Sequence, residues 1–142
     1  MLKDALGSYR GSVEELDRII DQEPNNADAY YDRANARNCR GDRAGAIADY
    51  SRAIELGLRP RETFLAFGNR GIAKADLDDI EGALEDFTTI IKACPKNRGI
   101  MKTALFNRSL LKRAKGDLNG ADQDYRHALS IKNNNKEERR SK

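Results

Sequence analysis

Few side chains in this sequence are of the types that do chemistry, and their spacing argues against it. The one histidine, His127, has no serine, cysteine or carboxylate arrangement that would make a nucleophilic triad, so it reads as solvated. Cys39 and Cys94 are too far apart for a Cys-x-x-Cys pair, build no disulfide framework, and suit a reducing compartment. The acidic run Asp76, Asp78, Asp79 and Glu81 has the composition of a calcium loop, but its glycine is misplaced and no bidentate Glu follows correctly. Acidic residues at a helix start meet the helix dipole favourably, which accounts for them better. The segments "GNRGIAK" and "GDRAGAI" lack the G-K-[ST] and the preceding strand of a phosphate loop. "NRS" at 107–109 matches a glycosylation acceptor, yet it falls in an expected helix of a chain showing no secretion signal. The expectation is a protein that is not an enzyme and that needs neither cofactor nor metal.

What the chain does contain is repetition. "GDRAGAIADYSRAIEL" at 41–56 returns as "DDIEGALEDFTTIIKA" at 78–93 and "GDLNGADQDYRHALSI" at 116–131, with a fainter copy at 7–22. Fixed periods of 20–50 residues mark solenoids. Each copy opens on a tight turn and a helix cap. Small Ser12, Ala46, Ala83 and Ala121 are then followed four places later by bulky Leu16, Tyr50, Phe87 and Tyr125, on one helix face. Gly11, Gly45, Gly82 and Gly120 precede the small residues, and glycine in a helix suggests close helix–helix approach. Ahead of each turn, stretches 28–40, 63–75 and 102–114 carry small Ala34, Gly71 or Ser109 four places after bulky Tyr30, Phe67 or Leu105. Two antiparallel helices per unit form a hairpin that buries its outer face only by stacking on the next.

The chain resembles the tetratricopeptide repeat family. The residues that carry the resemblance are the 34-residue pitch, the bulky–small pair of the first helix, "G-D" at the turn, Ala46–Tyr50–Ala53, and "E-P-N-N" at 23–26. It covers about residues 7–131 and implies an all-α, right-handed superhelical solenoid of helix hairpins. The expected organisation is a partial repeat over 1–26, repeats over about 27–60, 61–97 and 98–131, and a charged tail, 132–142. Two departures stand out. Arg37, Lys74 and Lys112 replace an aromatic usual in the first helix, and later units are three or four residues longer, about one helical turn.

Each full repeat also carries an arginine where the family usually has an apolar residue: Arg33, Arg70 and Arg108. Each has an aspartate before the bulky residue of its second helix: Asp49, Asp86 and Asp124. Ion pairs Arg33–Asp49, Arg70–Asp86 and Arg108–Asp124, partly buried between the helices, are therefore expected.

In this family the first helices line a concave face that takes a peptide or partner protein. The resemblance places Tyr31, Asn35, Asn38, Asn69, Ile72, Phe106, Asn107, Leu110 and Arg113 on that face. Asparagine amides can pair with a peptide backbone, and Tyr31 and Phe106 offer flat apolar contact. The family's clamp for chaperone-tail carboxylates is not expected. Asn35 and Asn69 fit its asparagine places, but Tyr31, Thr103 and Asn107 stand where its cations belong.

Charge narrows the partners. The tail 132–142 holds five Lys/Arg and two Asp/Glu, which leaves 21 of each sign elsewhere in the 142 residues. A balanced body has no nucleic-acid footprint. No apolar run is long enough to span a membrane, so a cytoplasmic protein is expected. Beyond Ile131 the tail has no apolar residue to cap the last repeat. The face around Leu118, Tyr125 and Leu129 is thus a rival working surface, through which copies could associate or join a larger scaffold.

Overall fold

A computed structural model describes residues 12–93 and 95–132. Gly11, Cys94 and the tail beyond Lys132 lie outside the described residues, as does the start of the faint first copy. Among the described residues seven helices follow in order: α1 (Val13–Gln22), α2 (Ala27–Cys39), α3 (Arg43–Leu56), α4 (Pro60–Asp76), α5 (Ile80–Ala93), α6 (Arg98–Ala114) and α7 (Leu118–Ser130). There is no strand among the described residues. Helices α2/α3, α4/α5 and α6/α7 pair as hairpins, while α1/α2, α3/α4 and α5/α6 join successive units. The architecture is an all-α solenoid of stacked hairpins.

The hairpin turns show why the "G-D" signature recurs. Gly41, Asp78 and Gly116 adopt left-handed φ values of 85°, 64° and 88°. In each turn the next residue donates its N–H back into the preceding helix: Asp42 to Arg37 O at 2.9 Å, Asp79 to Lys74 O at 2.8 Å and Asp117 to Lys112 O at 2.9 Å. That closes the first helix in a Schellman motif. The same aspartates then accept from the N–H of Gly45, Gly82 and Gly120, all at 2.9 Å, and so open the second helix. One aspartate ends one helix and starts the next, so three residues suffice for the reversal.

The structure gives those helix glycines a different reason from the close helix–helix approach expected of them. A Cβ on Gly45, Gly82 or Gly120 would lie 2.2–2.3 Å from the capping aspartate's own carboxylate. The glycines keep room for the cap. Close approach occurs instead at Gly71, where a Cβ would meet the Phe87 ring at 3.0 Å. There α4 packs on α5, just as fully buried Ala34 packs with Ala46 between α2 and α3. Ser109 does the same in α6, and its hydroxyl donates to the Ala121 carbonyl at 2.9 Å.

The extra residues of the later units lengthen helices. The first helix grows from 13 residues in α2 to 17 in α4 and in α6. Pro60 is the first residue of α4, a position where its missing N–H costs nothing.

Candidate functional site

The hairpin interiors hold charge, and the structure places it as compact clusters. Arg33 donates from Nε to Asp49 Oδ2 at 2.8 Å and from Nη2 to Oδ1 at 2.9 Å. Arg70 grips Asp86 in the same fork at 2.9 and 2.6 Å, and Arg108 grips Asp124 at 2.7 and 2.7 Å. All three aspartates are buried. Each also takes a second cation one turn further along the first helix. Arg37 Nη1 lies 3.0 Å from Asp49, Lys74 Nζ 3.4 Å from Asp86, and Lys112 Nζ 3.0 Å from Asp124. These second cations were visible in the sequence only as a missing aromatic. The cation four places after each arginine was the signal that they share its carboxylate.

The third arm of each arginine reaches back to the preceding unit. Arg33 Nη1 lies 2.7 Å from Asp17 Oδ1, Arg70 Nη1 donates to Ser51 Oγ at 3.0 Å, and Arg108 Nη1 donates to Thr88 Oγ1 at 3.4 Å. The acceptor is always the residue after the bulky side chain, so one guanidinium ties a hairpin together and ties it to its neighbour. Hydrogen bonding to Asp49 raises the Arg33 pKa. Burial pushes Asp124 up, but hydrogen bonds from Arg108 and Lys112 outweigh it and hold the carboxyl below its ordinary value. No buried side-chain N or O is without a partner among the described residues. These clusters are saturated and structural.

A binding surface has to be sought where space remains. A groove of about 320 Å³ runs between α4 and α6. Phe64, Leu65, Gly68, Asn69 and Ile72 form one wall, and Ile100, Thr103, Ala104 and Asn107 the other. Phe87 and Ile90 of α5 lie beneath, and Arg61, the only charged lining residue, stands at the rim. Gly68 explains the opening. Counted from the three arginines, it occupies the place of Tyr31 in α2 and Phe106 in α6. Tyr31 fills its place by packing edge-on to Tyr50, with centroids 6.0 Å apart, and Phe106 by packing on Tyr125 at 5.6 Å. At Gly68 there is no ring, and a Cβ there would find only Ile90 Cδ1, at 3.8 Å.

Of the nine residues expected on the concave face, the groove brings together Asn69, Ile72 and Asn107. Asn69 and Asn107 are equivalents in successive first helices. Asn35 belongs to another column: its side-chain oxygen accepts from the Tyr50 hydroxyl, whose pKa burial raises. Asn38 is held by Arg43, whose guanidinium donates to both its carbonyl and its side chain. Phe106 packs on Tyr125 in the last hairpin, and Leu110 and Arg113 are exposed. The groove's other essential residue, Gly68, was not singled out from the sequence. Its signal was an absent ring in a column holding Tyr31 and Phe106.

The described residues hold no cluster of His, Cys, Asp and Glu able to take a metal ion, and no helix long and apolar enough to cross a membrane. Stacked hairpins with a groove between first helices define a helical-repeat protein. Residues 103–135 match the tetratricopeptide repeat family model. Human tetratricopeptide repeat protein 36 is 40% identical over 67 residues, which cover 46% of this chain and 35% of that protein. Its bovine counterpart is 35% identical over 82 residues, 57% of this chain and 44% of that one. The matched stretch thus spans less than half of either relative. Two crystal structures of MamA share the fold at 21% identity. One has a TM-score of 0.76 and covers 98% of this chain and 74% of that one. The other scores 0.75 and covers 91% and 67%. The last repeat thus matches the tetratricopeptide repeat family, and the described chain shares a helical-repeat fold with these structures.

Proposed function

We propose that this chain is a non-enzymatic interaction module that holds an extended segment of a partner protein in the groove between α4 and α6. The observation that carries this reading is the opening left by Gly68, an apolar-floored channel flanked by two equivalent amides, Asn69 and Asn107. An aliphatic side chain of the ligand fits over Phe87 and Ile90, while the amides pair with its backbone N–H and C=O groups. With Arg61 the only charged lining residue, apolar contact and backbone pairing dominate.

The test is selection of short random peptides on the wild-type chain, followed by binding to two variants. Gly68→Phe puts a ring where Tyr31 and Phe106 have theirs and fills the channel. Asn69→Ala/Asn107→Ala leaves it open but strips the amides. Both should lose the selected peptides while keeping wild-type helix content and a melting temperature no lower than wild type. Peptides that bind Gly68→Phe as well as wild type would refute the reading.

A second reading, association of chains through the end of the last hairpin, is favoured by a different observation. Tyr125 is 45% exposed, whereas its equivalents Tyr50 and Phe87 are 1% and 2% exposed beneath the next unit.

A further inference from the structure

We infer that copies of this chain associate head to tail, the α7 end of one against α1 of the next. The inference rests on the second reading above and identifies the partner for that surface.

The exposed end face carries Leu118, Tyr125 and Leu129, the positions that Ile80, Phe87 and Ile91 hold in the previous hairpin, where they pack in the core beside α6. Its charge indicates what can cover it. At each inner junction the residue after the bulky side chain is Asp17, Ser51 or Thr88, and an arginine of the following helix bonds to it. On α7 that residue is Arg126, largely exposed and paired with exposed Asp122 at 2.9 Å. A further hairpin of the same kind would set its arginine against Arg126. The end face therefore disfavours another arginine-bearing first helix and favours a helix that brings a carboxylate.

The chain itself presents such a helix. Residues 13–23 hold five carboxylates and one cation, Arg18. Glu15 stands where Asp49, Asp86 and Asp124 stand in the other units, but it is exposed, and so is Ile19 beside it. The balance of residues 1–131 conceals the same polarity. Residues 12–93 carry 17 Asp/Glu against 11 Lys/Arg, net −6, while residues 98–132 carry eight Lys/Arg against three Asp/Glu, net +5. An acidic end and a basic end on one rod steer copies into a single orientation. The contact is heterologous, so each added copy leaves a free end and the product is an open chain.

Sedimentation velocity of the full chain over a range of concentrations tests this. The weight-average mass should climb above the 15.9 kDa monomer as concentration rises, and less steeply in high salt. Arg126→Glu and Glu15→Arg, both at exposed sites, should each weaken association about tenfold or more. The two variants mixed should recover it, because every junction between them again joins opposite charges. A chain that stays monomeric throughout overturns the inference and the second reading together. Association that neither substitution changes overturns the inference alone and moves the contact elsewhere.

Discussion

The most decisive perturbation of the fold is Arg70→Met, because it strands a buried carboxylate. Asp86 has only 4% of its side chain exposed and takes two hydrogen bonds from Arg70, at 2.6 and 2.9 Å. Hydrogen bonds to charged groups contribute about 1.5–3 kcal/mol each, so losing two removes about 3–6 kcal/mol. Breaking buried pairs in general costs about 3–5 kcal/mol. Lys74, now 3.4 Å away, can close on the carboxylate and recover part of that. The expected loss is therefore at the lower end, about 3 kcal/mol. Asp86→Leu should cost less, about 2 kcal/mol, because Arg70 keeps Ser51 and can reach water along its stem. The double variant leaves two apolar side chains facing each other, and such replacements are often neutral. Urea unfolding followed by circular dichroism on all four proteins should yield a coupling of about 5 kcal/mol, the two single losses less a double loss near zero. A coupling below about 0.5 kcal/mol would place the pair with exposed surface charges and refute the reasoning.

Three further outcomes are expected. Asp78→Gly should stabilise the chain by about 0.5–1 kcal/mol, because Asp78 alone holds with a side chain the left-handed turn position that Gly41 and Gly116 hold without one; an unchanged or lower urea midpoint would contradict this. Gly68→Ala should stabilise by about 0.5–1 kcal/mol through helix propensity, whereas Gly82→Ala should gain nothing, since its Cβ would sit 2.3 Å from the Asp79 oxygen and cost a cap of about 1 kcal/mol. Stability should also fall at both ends of the pH scale. Asp124, lowered in the folded chain, contributes fully above its unfolded value of about 4 and less as pH drops through its folded value. Tyr50, raised in the folded chain, contributes fully below its unfolded value of about 10 and less as pH climbs. Melting curves of Asp124→Asn and Tyr50→Phe should show flattened acid and alkaline limbs respectively.

The hairpins were legible in the sequence because they rest on contacts of fixed spacing. Ala46 and Tyr50 must share a face at i, i+4, and the left-handed turn must be Gly or a residue such as Asp that tolerates it. The arginine–aspartate columns were legible for the same reason, since identical units repeat the same pairing. The groove was harder to see because it depends on where one unit differs. Asn35, Asn69 and Asn107 look alike as a list, yet Asn35 sits in the column of Ile72 and Leu110, while Asn69, which also reaches Tyr50, and Asn107 share the column that lines the groove. That space exists because of a side chain Gly68 lacks. The charge polarity was hidden in the same way, by a total that averages two opposite ends.

The arginine arms that reach back across each junction differ in strength along the rod. The first ends on a carboxylate at 2.7 Å, the second on a hydroxyl at 3.0 Å and the third on a hydroxyl at 3.4 Å. All three are charge-assisted through the guanidinium, so they differ in length and acceptor rather than in kind. The clasp between α5 and α6, the longest of the three, should therefore open first. Pulled or thermally loosened, the chain would part there and free its last hairpin. A molecule built this way can lengthen under load at a chosen joint while the hairpins on either side keep their shape.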